Sequence, residues 1–213
     1  MSENNDQSWF STGWIDKRWC EFMGYPNPYI DPFKYHLRGT NIAISDKRAY
    51  EKYIDHRFVY DKLWIAESQG LRCGLVGSHV PNTFPVFVKP RWGHKSAGSR
   101  GCQVIRDSEQ LKGLVKRLIQ KDDDEDVMWS EFLPDREGMT DFMLDNGRIV
   151  YQMTHLYSPE RVGFTDAWKY TSPLNKPPPD IINWVNAHMG GFSGCVNVQY
   201  RGNRIIEVGL RMA

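Results

Sequence analysis

Residues 84–103, FPVFVKPRWGHKSAGSRGCQ, decide how the rest of the chain is read. Phe84 to Val88 is a short apolar run of β type that ends at Lys89-Pro90, and Val104 with Ile105 suits a return strand. Between the two runs Gly93, Gly98 and Gly101 punctuate a basic turn. A lysine closing an apolar strand just before a glycine-rich turn makes a plausible phosphate site. Glycines let backbone N–H groups approach phosphate oxygens, and the ammonium neutralises their charge. No Gly-Lys-Ser/Thr opens a helix here, and the glycine spacing differs from the dinucleotide fingerprint, so both of those nucleotide folds are excluded.

Upstream, Asp61 to Gly70 (DKLWIAESQG) reads as a helix stopped by Gly70. Residues 1–60 read as an irregular, aromatic-rich arm with one short helix near Ile15 to Met23. Downstream, Asp107-Ser108 offers an N-cap for a helix in which Leu111, Leu114, Val115, Leu118 and Ile119 recur at helical spacing. The acidic run Asp122 to Asp126 is most simply a solvated loop. The remainder is mainly strand. Val127 to Phe132 is one, and Met139 to Leu144 with Ile149 to His155 make a hairpin around Asp145-Asn146-Gly147, a favoured tight-turn sequence. Lys176 to Pro179 breaks the chain before a helix from Asp180 to Met189. Cys195 to Tyr200 and Arg204 to Leu210 then form a last hairpin. The order is mixed α+β, with antiparallel pairing dominant in the second half.

Composition narrows the function classes. The chain has 213 residues, 27 Lys and Arg against 26 Asp and Glu, and a formal net charge of +1. That balance argues against a nucleic-acid binder, whose footprint is a marked basic excess. No apolar run approaches the ~20 residues of a membrane helix, and residues 1–7 lack the pattern of a signal peptide, so a cytoplasmic location is expected. The four cysteines are far apart, with no C-x-x-C pair, and are expected to be reduced and partly buried. The six histidines have no metal spacing, and His94 is expected to be solvent-exposed.

Four short motifs follow one another in order: the strand ending at Lys89 with its glycine loop, Trp129 to Pro134 (WSEFLP), the hairpin at Asp145, and Ile205 to Arg211 (IIEVGLR). Together, over about residues 61–213, they resemble the ATP-grasp superfamily, most of whose members are carboxylate–amine ligases. The resemblance implies an α+β ATP-grasp fold of two small lobes gripping the nucleotide. The arm would be followed by a first lobe over residues 61–126 and a second, mainly antiparallel, over 127–213.

The same resemblance assigns roles. Lys89 looks like the strand-end lysine on ATP phosphates, and Lys62 like the earlier lysine of the same cleft, with Lys47 the competing choice. Gly93 to Gly101 resembles the mobile loop over the phosphates, with Lys95, Ser96, Gly98, Ser99 and Arg100 as contacts. Glu131, Phe132 and Leu133 match the inter-lobe linker that receives adenine, and Glu137 the acid on the ribose. Gln199 and Glu207 are implied as magnesium ligands, with Arg211 just beyond, and Arg161 lies where ligases place a substrate or phosphate arginine. Two positions depart from the family pattern: the metal motif Glu-x-Asn has Gly209 at its third position, and the upstream acid is the neutral Gln199. The implied cofactors are ATP and Mg2+. The implied reaction is activation of a small-molecule carboxylate as an acylphosphate for attack by an amine or thiol. A non-catalytic nucleotide-binding relative and a small-molecule kinase are the alternatives. The aromatic arm could make a homodimer surface.

Overall fold

The computed structural model describes residues 43, 45–95, 101–121, 126–160 and 168–211. They belong to a unit spanning 42–213. Helix α1 (Asp46–Lys52) is capped by the Ser45 side chain, and a 3-10 segment, Ile54–Tyr60, follows it. Helix α2 (Lys62–Ser68) starts at Asp61, whose carboxylate accepts from the Leu63 and Trp64 amides, so one side chain satisfies two donors that a helix start leaves unpaired.

Strands β1 (Cys73–Leu75), β2 (Val86–Pro90), β3 (Gln103–Ile105) and β4 (Val127–Glu131) form an antiparallel sheet in the order β1-β4-β2-β3. Helix α3 (Ser108–Lys121) covers it by burying Leu111 and Leu114 against Val86, Val88 and Ile105. The strand expected over Val127 to Phe132 to open the second lobe runs over Val127–Glu131 and pairs along that length with β2, so the change of sheet falls after Glu131 rather than before Val127.

Strands β5 (Glu137–Asp145), β6 (Arg148–Tyr157), β7 (Thr171–Leu174), β8 (Gly194–Arg201) and β9 (Arg204–Gly209) form a second antiparallel sheet ordered β7-β6-β5-β8-β9. Asn146 and Gly147 both take positive φ, as the tight β5–β6 turn requires. Helix α4 (Pro179–His188) packs Ile181, Trp184 and Val185 on one face of this sheet, against Phe142, Val196, Val198 and Val208. The same core takes in Ala43, Ala49, Val59 and Tyr60. Residues 46–60 are therefore mostly helical, with Ala49, Val59 and Tyr60 buried in the core, not the irregular arm expected. Their aromatic and small apolar side chains complete the layer that α4 alone leaves open. The helix expected near Ile15 to Met23 lies outside the described residues.

Among the described residues, Cys73, Cys102 and Cys195 are free thiols, and no helix is long and apolar enough to cross a membrane.

Candidate functional site

The site is built on the face of the second sheet opposite α4. Side chains alternate along a strand, so even residues of β5 and β8 (Phe142, Leu144, Val196, Val198, Tyr200) enter the core. Odd residues stand on the other face, and register lines them up across strands. One row runs His155, Met139, Gln199, Glu207, and the next runs Met153, Asp141, Asn197, Gly209. Gln199 and Glu207 are thus direct cross-strand partners, and the register needed to bring them to one point is the observed one. Beside them Asn197 Nδ2 donates to Asp141 Oδ1 at 2.7 Å, with both residues buried. Glu137 is held by Arg201 at 2.9 Å.

Two lysines reach the β9 edge of this floor. Lys62, at the start of α2, is 4% exposed, and its Nζ lies 3.1 Å from Glu207 Oε1. Lys89, on β2, is 7% exposed and donates from Nζ to the Ile206 carbonyl at 2.6 Å, tying the first sheet to the second. Burial pushes the Lys89 ammonium from its ordinary 10.5 down to about 8. The nearby Lys62 charge pushes the same way, and Glu207 partly opposes both. Lys47, the competing choice, is exposed on α1.

The loop after β2 is clamped to α2. The Lys62 amide donates to the Arg91 carbonyl at 2.9 Å, and the Arg91 guanidinium grips Asp61 with two bonds of 2.9 and 2.6 Å. Asp126, expected in a solvated loop, binds Arg91 at 3.4 Å and Trp92 Nε1 at 3.2 Å. Gly93 is buried, and its amide donates to the Tyr60 carbonyl at 2.8 Å. A Cβ there would stand 3.4 Å from Glu207 Oε1 and 3.6 Å from Lys62 Cε, so the loop backbone runs directly along the ion pair. His94 is not a solvent-exposed residue: it stacks on Tyr50 with centroids 3.6 Å apart and 13° between planes. Burial, then the Lys95 charge, pushes its pKa down.

Lys62, Lys89, Gly93, Gln199 and Glu207 therefore converge. Lys95 is exposed beyond them. Glu131 ends β4, its side chain paired with Arg72 at 3.0 Å and its amide donating to the Arg72 carbonyl. Phe132 and Leu133 follow at the crossing between sheets, half-buried, with the Leu133 carbonyl accepting from Arg201 at 3.4 Å. Glu137 carries the Arg201 ion pair, so its carboxylate meets a guanidinium where the resemblance implies a ribose. Arg211 Nε donates to Asp46 Oδ2 at 2.8 Å. Ser96, Gly98, Ser99, Arg100 and Arg161 lie outside the described residues.

Asp46, Asp141 and Asn197 join the site without having been expected. Strand alternation from Gln199 points to Asn197 and would have found it. Nothing local to Asp46 signals its position.

Neither any family profile nor any curated protein sequence matches the chain. Solved structures do. The L-amino acid ligase from Bacillus licheniformis superimposes with a TM-score of 0.53 at 14% identity, over 92% of this chain and 45% of the ligase. The biotin carboxylase domain of the Hydrogenobacter thermophilus 2-oxoglutarate carboxylase, in complex with MgADP and bicarbonate, gives 0.53 at 15%, over 76% and 41%. The chain has the ATP-grasp fold. A carboxyaminoimidazole ribonucleotide synthase from Aspergillus clavatus, complexed with ATP, gives 0.52 at 10% identity, over 79% of this chain and 51% of the synthase. The chain thus spans about half the length of these proteins or less.

The candidate metal donors are oxygen atoms. Among the described residues no group of three or more His, Cys, Asp and Glu is placed to hold an ion. Glu207 with the Gln199 amide across from it is an oxygen-only, incomplete set, which fits a hard divalent cation such as magnesium and not a zinc centre.

Proposed function

We propose that the protein is an ATP-dependent, magnesium-requiring ligase that activates a small-molecule carboxylate as an acylphosphate for attack by an amine or thiol. The observation that carries this reading is the meeting of two buried lysines, Lys62 and Lys89, with Glu207 at the edge of one polar sheet face. Keeping two ammonium groups out of water is costly, and an anionic ligand is what offsets that cost. In this reading Lys62 and Lys89 bind triphosphate oxygens, and Glu207 with Gln199 would hold magnesium. The metal would neutralise phosphate charge as it develops. Residues 131–133 would receive the base at the crossing between sheets.

In the reaction the acceptor carboxylate oxygen bonds to the γ-phosphorus as the bond to the ADP oxygen breaks. The nucleophile then adds to the acyl carbon, and phosphate leaves. The residues position and neutralise and form no covalent intermediate themselves.

Isothermal titration of ATP with and without Mg2+, followed by ADP detection over a panel of carboxylates with amines or thiols, tests the reading. Magnesium-dependent binding, with ADP formed only when both co-substrates are present, is expected. No nucleotide binding under either condition refutes it. The absence of a side-chain oxygen at Gly209 favours a second reading, nucleotide binding without turnover. Binding with no ADP across the panel would select that reading, and a phosphate ester in place of an amide or thioester would select a kinase.

A further inference from the structure

Glu207 has a counterpart that comes from elsewhere in the chain. Gly209 lies two residues beyond Glu207 on β9, on the same face, opposite Asn197. Its backbone does not take positive φ, so conformation does not demand a glycine there. What occupies the space is Asp46: a Cβ at position 209 would fall 2.8 Å from Asp46 Oδ1. The first residue of α1 thus projects its carboxylate into the space that a side chain on β9 would otherwise fill.

That carboxylate is carefully held. The Tyr60 hydroxyl donates to Oδ1 at 3.3 Å, itself accepting from the Leu210 amide at 3.0 Å, and Arg211 Nε donates to Oδ2 at 2.8 Å. Burial pushes the Tyr60 hydroxyl pKa up, so it stays a neutral donor. The edge of the sheet therefore carries two acids, each beside a cation: Glu207 with Lys62, and Asp46 with Arg211.

We propose that Asp46 is the second carboxylate of the divalent-cation site, delivered by α1 in place of a side chain at Gly209. The inference rests on the reading of this site as one for a metal–triphosphate. Magnesium is commonly held by one or two carboxylates plus phosphates, and Asp46 with Glu207 makes two. The ion pairs then act as place-holders. A metal–triphosphate brings a cation for the two acids and oxygens for Lys62 and Arg211, so each pair can exchange its partner without any group going unmatched. Metal and nucleotide should consequently bind together far better than either binds alone.

The test measures Mn2+ binding by electron paramagnetic resonance, with and without AMP-PNP, in the full chain. The near-isosteric Asp46→Asn variant is expected to bind Mn2+ at least tenfold more weakly in the presence of AMP-PNP. Thermal unfolding without ligand shows whether the variant is folded. Asp46→Gly combined with Gly209→Asp moves the carboxylate onto β9 and is expected to recover most of the lost affinity. A carboxylate that merely anchors α1 through Arg211 would not be replaced in this way. Unchanged Mn2+ affinity in Asp46→Asn, or no recovery in the double variant, overturns the assignment of Asp46 and leaves the ligase reading standing. Absence of any Mn2+–AMP-PNP binding by the unaltered protein overturns both.

Discussion

If Lys89 binds triphosphate oxygens, as proposed, nucleotide binding is linked to a proton. Its ammonium is buried against the Ile206 carbonyl and, even with Glu207 nearby, is pushed down to about 8 from an ordinary 10.5. A bound triphosphate supplies the negative charge that burial withholds and returns the group toward 10.5. Binding must then take up a proton wherever the free site has lost one. At pH 8 the free lysine is half protonated, so uptake approaches about half a proton per nucleotide. Between pH 7 and pH 9 the loss of the charged form weakens ATP binding by about tenfold, or ~1.4 kcal/mol.

The assay is titration calorimetry of ATP with saturating Mg2+ in two buffers of different ionisation enthalpy, at pH 7, 8 and 9, where MgATP itself does not titrate. Lys89→Met is the control and should show weak binding with no buffer-dependent heat. The sign for stability is opposite to that of an ordinary surface lysine. Because the folded pKa is depressed, the ligand-free protein bears the full cost below pH 8. Relief comes as pH rises from 8 to 10.5, a window in which the unfolded chain is the better proton binder. The difference in unfolding free energy between the unaltered protein and Lys89→Met should therefore shift by up to roughly 3 kcal/mol across that window in favour of the unaltered protein. Proton uptake that is absent at pH 8, or unchanged in Lys89→Met, would refute the placement of the triphosphate at Lys89.

Three other outcomes are expected. Asp61→Ala, which removes both the α2 cap and the partner of Arg91, should cost about 2 kcal/mol in urea unfolding, whereas Asp61→Asn, which keeps a capping oxygen, should cost about half as much. A Cβ at Gly138 would stand 2.6–2.8 Å from the fully buried Tyr200 ring, so Gly138→Ala should destabilise by about 1–3 kcal/mol, and by less in a Tyr200→Leu background. Glu207→Gln should abolish the gain in ATP affinity on adding Mg2+, a loss of tenfold or more, while affinity in EDTA stays within a few-fold.

What could be read in the sequence was local. The Asp145-Asn146-Gly147 turn, the Asp61 and Ser108 helix starts and the alternation of β8 and β9 are each fixed by a few neighbouring residues, and all appear where their chemistry puts them. β7 was missed because its Pro173 argues against a strand, and it is tolerated only because β7 is a sheet edge. β1 is three residues long with a central glycine, too short for a pattern. The membership of β4 in the first sheet depends on pairing with β2 across an intervening strand and helix, which periodicity does not encode. Of the residues that converge, Lys89 and Glu207 stand out in the sequence through their motifs, whereas that Lys62 is buried beside Glu207 while Lys47 is exposed depends on packing. Asp46 could not be read, because its approach to Gly209 joins segments far apart in sequence that share no local pattern.

That distance has a consequence in time. Asp46 and Arg211 are separated by 165 residues, and Lys89 and Ile206 by 117. At about 5–20 residues per second, a ribosome takes roughly 10–30 s to deliver the second member of the longer pair after the first. During that interval the nascent chain holds α1, α2 and the first sheet without the strand that carries Glu207. Its two lysines can avoid the penalty of burial only by remaining hydrated. The first sheet therefore has reason to stay loosely closed until β9 arrives. On the proposed reading, competence to bind a nucleotide should then appear abruptly, with the synthesis of one short hairpin.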